Sequence, residues 1–475
     1  MADAAPALLP GAALAALWHA AGLPAEALPC AALPGSEPVL PSSFAVATAA
    51  QASLGAAGLA AAELWHLRRG GGERQRIEVD RRHAALDSCA YFLVDGRQPE
   101  LWDPLSGLYP CGPAGESGWV RIHANFAHHR DGALRLLGLP AGPAVERAEV
   151  LVALREWDAE GFEAAAAEAG LVVAAARSFE QWDAHLQGQA VAAQPLLRIE
   201  RIAGAPPADP RRWPALPEGA RPLHGLRVLD LTRILAGPVA SRTLAAYGAD
   251  VLLVNAPHLP NIAAIADTSR GKRSAHADLR TEAGREAVRA LVEASHVFVQ
   301  GYRPGALEAL GFGPQALAQM RPGIVAVSLS AYGAEGPWAG RRGFDSLVQT
   351  ATGFNLAEAL AAGEHRPRAL PMQILDYAAG YLLAFGTQAA LWRQQQEGGS
   401  WHVQLSLAGV GRWLRGLGRV AGGLAAAAPP FEPYLQQEAS GFGELTVLRH
   451  PVAFSATPAG WDRPAMPPGT HSPSW

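Results

Sequence analysis

The stretch RPRALPMQILDYAAGYLLAFGTQAALW, residues 366–392, brings a Pro-bounded apolar approach to one acid, Asp376, and then runs on rich in Ala and Leu. Between Asp345 and Asp376 the only other acids are Glu358 and Glu364, and none follows before Glu397. A carboxylate that opens an uncharged helix serves as an N-cap, accepting hydrogen bonds from the free N–H groups of the first turn. Whether it does chemistry as well depends on what else the fold brings to it. Basic side chains suited to a nucleotide-like ligand lie in predicted loops at Arg233, Arg270, Lys272, Arg273 and Arg303. Lys272 is the single lysine in an Arg-rich chain, which marks a position where a compact ammonium is wanted and a planar guanidinium is not. His123, His128 and His129 cluster, but their spacing matches no zinc pattern, so no metal is expected.

The elements that must position these residues alternate. LRVLDL, DVLLVNA, HVFVQGY and GIVAVSLSA read as strands, with AGPVASRTLAAYGA and the amphipathic TEAGREAVRALVEAS between them as helices. Such alternation implies a parallel sheet wrapped by helices. Ligands bind such sheets beyond the carboxyl ends of the strands. Those ends are Leu231-Thr232-Arg233, Asn255-Ala256-Pro257, Gln300-Gly301-Tyr302-Arg303 and Ser330-Ala331-Tyr332-Gly333. No G-x-G-x-x-G follows the first strand and no G-x-x-x-x-G-K-[ST] occurs, which argues against an ordinary NAD site or a P-loop.

With 475 residues, 49% hydrophobic and 17% charged, the chain can bury two or three cores. A net charge of −4 gives no basic excess for nucleic acid. Three cysteines fit a reducing compartment better than a disulfide framework. The apolar N-terminus lacks a basic n-region, and Pro, Gly and His19 interrupt it, so neither a secretory signal nor a membrane span is expected and the cytoplasm is the expected location. Residues 1–40 form an N-terminal extension. Residues 41–99 hold a long uncharged helix, a Gly70-Gly71-Gly72 stop and the alternating ERQRIEVD. At a shift of 327 residues Leu64-Trp65 falls on Leu391-Trp392 and Gly71-Gly72 on Gly398-Gly399, so this unit reads as a repeat of the helix and strand after Asp376. Ala49 then lies opposite Asp376, leaving the acid in the second copy alone. Residues 100–205 read as a small α/β domain ending in the strand PLLRIERI, 206–222 as a Pro-rich linker, 223–425 as the large domain and 426–475 as a tail.

The ordered motifs LHGLRVLDLTRILAGPVASRTLAAYGADVLLVNAP, SRGKRSAHADLR, VFVQGYRPGALEALGFG, SLSAYGAEGPWAGRRGFD and LDYAAGYLLAFGTQAAL resemble the family III CoA-transferases across residues 223–410. The same superfamily includes the α-methylacyl-CoA racemases. Residues 44–205 resemble the part of the family that follows its catalytic acid, so the chain looks like a rearranged or partly duplicated member. The resemblance implies a Rossmann-like large α/β domain with a smaller α/β domain. It also implies a nucleophilic role for Asp376, with Gly380 matching the family's glycine four positions on. CoA contacts would come from Arg233, Ile234 and Leu235, from Lys272 and Arg273, and from Gly301, Tyr302 and Arg303. Gln300-Gly301 replaces the family's Glu-Asn, Asn255 a Glu, and Ala309 a base.

The activity implied is transfer of CoA between an acyl-CoA and a carboxylic acid through a covalent intermediate on Asp376. No tightly bound cofactor is expected, since CoA enters as part of the substrate. The family forms interlocked dimers, so a homodimer is expected. Two alternatives differ in kind. A 2-methylacyl-CoA racemase would need a histidine where Phe344 stands in Gly343-Phe344-Asp345. A non-catalytic CoA-binding protein, derived from a duplicated family member, would bind without turnover.

Overall fold

The strands that position the candidate residues are short apolar runs whose alternate side chains enter two different cores. A computed structural model describes residues 7–208, 213 and 216–475. Parts of the N-terminal extension (1–6) and of the Pro-rich linker (209–212 and 214–215) lie outside the described residues. The principal sheet has seven strands among the described residues: β1 (Leu197–Arg201), β2 (Arg227–Leu231), β3 (Asp250–Asn255), β4 (Lys272–His276), β5 (Val297–Gln300), β6 (Val325–Ser330) and β7 (Trp401–Ser406). Their spatial order is β4-β3-β2-β5-β6-β7-β1. Neighbours run parallel except β7 and β1, which are antiparallel, with Val403 opposite Ile199. Val297, Val299, Val325, Val327 and Val403 enter the main core, while Leu229, Leu231, Phe298 and Ala326 enter a second core on the other face. A period of two in the side chains produces this division.

Four helices matter for the site: α1 (Val46–Arg68), α2 (Ala236–Ala246), α3 (Asp345–Ala351) and α4 (Ile374–Glu397). Both long helices, α1 and α4, are buried almost throughout. Neither presents a polar face, as befits helices surrounded by protein. Helix α4 packs against both α1 and α2. Small residues allow the approach. A methyl group built on Gly380 would lie 2.6 Å from Val239 Cγ1 and 2.7 Å from the Ala236 carbonyl oxygen, so only glycine fits where α4 crosses α2.

The small domain carries an antiparallel sheet of Gly107–Pro110, Trp119–Ile122 and Val173–Ala175, with its own core around Tyr109, Val120, Ile122 and Phe162. It packs against α3. The expected last strand of this domain, PLLRIERI, instead supplies β1 of the large sheet. The two repeat units share a local plan. After α1, strand Ile77–Val79 lies between parallel Ala31–Ala32 and antiparallel Val452–Phe454. After α4, β7 lies between parallel β6 and antiparallel β1. A helix follows each, Arg81–Asp87 and Leu407–Gly416. The antiparallel strand beside each unit comes from the segment that follows the other.

Candidate active site

Asp376 is the third residue of the first turn of α4, and the cap position belongs to Gln373, which makes no side-chain cap. The expectation that Asp376 is itself the N-cap is therefore corrected. The capping carboxylate comes from Asp345, at the start of α3: the Asp376 N–H donates to Asp345 Oδ2 at 2.9 Å. Gln349 Nε2, one turn further along α3, donates to Asp345 Oδ1 at 2.5 Å and to the Met372 carbonyl at 3.2 Å, tying the approach to α4 in place.

Two acids thus share one buried place. Asp345 is 0% exposed and Asp376 8%. Burial pushes the Asp345 carboxyl up to about 7, although hydrogen bonds from the Asp376 and Leu375 N–H groups and from Gln349, with the nearby charge of Arg121, hold it down. Asp376 is raised well above the usual carboxylate range, first by burial and then by the charge of Asp345. Two like charges this close do not both ionise easily. The helix dipole expected to keep Asp376 ionised is outweighed. Its carboxylate accepts no hydrogen bond among the described residues, and it keeps a little exposure. A carboxylate so stripped of donors is a better nucleophile than one solvated by water.

The loop after β2 leads into α2 beside this pair. Ile234 there adopts φ 74°, a costly left-handed conformation for a β-branched residue. Leu235 follows as the residue before α2. Arg233 is half-buried, hydrogen-bonded to the Pro260 carbonyl, and its guanidinium stands 5.8 Å from the Phe126 ring centre. Burial lowers the pKa of Arg233, opposed by nearby Tyr302. Arg233 and Arg342 both bear electrostatically on His128 and His129, and Arg303 on Arg342. Gly301 lies near Thr232, where an added methyl would be 3.9 Å from Thr232 Cγ2. So Arg233, Ile234, Leu235, Gly301, Tyr302 and Arg303 gather at the carboxyl edge of β2 and β5, with Arg342 and the histidines opposite. A cavity of about 520 Å³ opens from Tyr302 and Arg303 across β6 and β7, lined further by Ser328, His402 and Gln404.

Lys272 and Arg273 are not among this group. They lie in β4, a strand absent from the sequence reading, at the far edge of the sheet. Lys272 is 1% exposed; its ammonium pairs with Asp230 at 3.1 Å and donates to the Pro238 carbonyl at 2.9 Å. Its compact charge holds β2, β4 and α2 together. Arg273 pairs with Asp250 and bonds the Ser474 carbonyl. Arg270 is buried on Asp267, under the Trp461 ring.

Sequence reading passed over Arg121, His123 and Arg342 as site residues, and treated Asp345 only as the neighbour of Phe344. His123 stacks on Phe344 at 4.0 Å with an 11° tilt. His123 and His129 are held down to about 3, chiefly by burial, so both are neutral. Among the described residues no group of three or more His, Cys, Asp or Glu is placed to hold a metal.

The chain is similar to several known proteins. Residues 223–417 match the model of CoA-transferase family III. The chain is 30% identical over 415 residues to an acyl-CoA transferase of Gibberella moniliformis, covering 80% of this chain and 71% of that protein. It is 34% identical over 202 residues to a protein of Mycobacterium tuberculosis named as a probable fatty acyl-CoA transferase, covering 40% of this chain and 51% of the other. A succinate–glutarate CoA-transferase of Agrobacterium fabrum is 31% identical over 214 residues, covering 41% and 53%. The crystal structure of the M. tuberculosis protein aligns with 42% of this chain and 58% of its own, at 33% identity and a TM-score of 0.39. The chain thus spans about half the length of these two bacterial relatives, and more of the fungal one. On the family match and the long fungal alignment together, the chain belongs to CoA-transferase family III.

Proposed function

We propose that this chain transfers CoA from an acyl-CoA to a carboxylic acid, with Asp376 as the nucleophile. The observation that carries the reading is the Asp376 carboxylate: buried beside Asp345, without a hydrogen-bond donor of its own, and fixed by its backbone N–H. A carboxylate oxygen of Asp376 attacks the thioester carbonyl, the C–S bond breaks, and CoA leaves as thiolate from a mixed anhydride. The thiolate then attacks the Asp376 carbonyl carbon, the anhydride C–O bond breaks, and the donor acid departs as carboxylate. An aspartyl-CoA thioester remains. The acceptor carboxylate reverses these two steps and regenerates Asp376. The attack uses the ionised form of Asp376, with the proton that the buried pair shares resting on Asp345, and no net proton moves over the full cycle.

Arg233, Tyr302 and Arg303, with Arg342, are the groups suited to the phosphates and adenosine of CoA. Lys272 and Arg273 carry structural bonds instead. A racemase reading is weaker: among the described residues the histidines against the Phe344 ring are His123 and His129, and groups held at about 3 are feeble bases. The test is mass spectrometry of the protein mixed with acetyl-CoA. A CoA adduct on the peptide bearing Asp376 is expected, lost in Asp376→Asn. Adduct formation that survives this substitution refutes the nucleophile.

A further inference from the structure

The small domain buries one cation, within the field of Asp345, for which no hydrogen bond or ion pair is seen among the described residues. Arg121, in strand Trp119–Ile122, is 9% exposed. Among the described residues its guanidinium makes no hydrogen bond and no ion pair, and its Nε is buried and unsatisfied. Other buried arginines are not left so: Arg242 holds Asp87 and Asp267, Arg270 holds Asp267, and Arg177 holds Glu163. Arg121 lies in the field of Asp345, yet no ion pair closes between them. The guanidinium stands 5.5 Å from the centre of the Trp102 ring.

His123 follows two residues later, on the same side of the strand by its period of two. Its Nδ1 is also buried and unpartnered, as are both ring nitrogens of His129. Flat rings surround these atoms. His123 stacks on Phe344, Trp102 meets His123 edge-on at 5.9 Å, and Phe126 lies 6.1 Å from Phe344. Unsatisfied buried donors and a fixed positive charge thus stand among aromatic rings, one of which, Phe344, directly precedes Asp345, the acid that holds the Asp376 N–H.

We infer that Arg121, with His123 assisting, receives the carboxylate of the acid substrate, and that the acid has a flat, apolar or aromatic body. A guanidinium presents paired N–H donors that match a carboxylate. The rings offer faces and edges to an aryl body. This deepens the CoA-transfer reading and rests on it. Arg121 here is a binding residue: it delivers the acid whose oxygen attacks the aspartyl thioester. The CoA phosphates belong to the separate group around Arg233 and Arg303.

The probes are benzoate and neutral benzamide, titrated into the full chain by calorimetry, with free CoA as reference. Benzoate is expected to bind about 10–100-fold more weakly to Arg121→Gln, as befits loss of charge-assisted hydrogen bonds, and to recover in part in Arg121→Lys. Benzamide and CoA affinities should stay unchanged. Equal losses for benzoate and CoA, or benzoate binding indifferent to the change, overturn the proposal. Soaking 4-bromobenzoate into crystals of the unaltered protein avoids reliance on a variant's folding. The bromine signal should lie among Trp102, His123 and Phe344 with the carboxylate on Arg121; a signal elsewhere, or none, refutes it. A CoA adduct on Asp376 alongside such a failure leaves the transferase reading standing, whereas absence of any adduct removes that reading first.

Discussion

Asp345→Asn isolates the effect of one buried charge on another. The Asp345 carboxylate holds the backbone N–H of Asp376, so the two side chains share one low-dielectric place. Two unit charges in neighbouring side chains, at an effective dielectric of about 20, repel by on the order of 3 kcal/mol. Asparagine keeps an oxygen for the Asp376 N–H but removes the charge. The Asp376 carboxyl should then ionise at lower pH, because its second-largest perturbation is gone while burial remains. The assay is the rate of adduct formation with acetyl-CoA between pH 4 and 9. The acid limb of the unaltered protein reports the coupled pair, and in the variant it should move to lower pH. Stability supplies an independent sign. The folded pKa of Asp345 lies above its ordinary value, so its contribution is full below the ordinary carboxylate range and is lost as pH rises toward about 7. The variant lacks this loss and should gain on the unaltered protein across that window in urea titrations. An acid limb that stays put or moves up would refute the shared-charge account.

Lys272→Met should destabilise the chain by about 3–5 kcal/mol in urea unfolding, since Asp230 is left buried without its cation, while CoA affinity measured below the transition stays unchanged. Gly380→Ala should cost about 1–3 kcal/mol, because the new methyl meets Val239 and the Ala236 carbonyl and forces α4 from α2; adduct formation should fall with it. Arg303→Ala, an exposed change, should weaken CoA binding by about tenfold at low salt and leave thermal unfolding unmoved.

Much of the fold was legible where hydrophobic runs were unmixed. Strands β2, β3, β5 and β6 and the long helix α4 follow directly from such runs. Strand β4 was hidden because KRSAH is polar by composition; its first residue is nonetheless buried, since Asp230 waits for the ammonium. That pairing lies 42 positions back in the chain, beyond any local pattern. The same limit hid the site. Asp376 stands out as a lone acid before an apolar helix, but the source of its cap is Asp345, 31 residues away, and its exact turn position depends on where α4 begins. Arg121 reads as an ordinary residue of a small-domain strand, and His123 only as one of a histidine cluster without zinc spacing. Only packing against Phe344 gives them meaning, and no periodicity encodes a contact between separate domains. The Arg233 and Tyr302 loops were candidates from the sequence because strand ends in a parallel sheet carry ligands whatever their local sequence.

The crossed strands bear on how many chains make a site. An unpaired strand edge beside β7 or beside Ile77–Val79 would invite another chain. Here β1 covers the first over five paired residues and Val452–Phe454 covers the second over three. Each covering strand belongs to the segment that follows the opposite repeat unit, so an exchange that two chains would make is completed within one. The pairing also joins a unit that carries Asp376 to one that has Ala49 at the matching place. On the proposed function, each interlocked pair of units then carries one nucleophile. Light scattering at micromolar concentration should therefore give a mass near the 49.7 kDa of one chain, with one CoA adduct per chain at saturation. A stable species of twice that mass would refute internal closure, and would restore the homodimer that the family resemblance suggests.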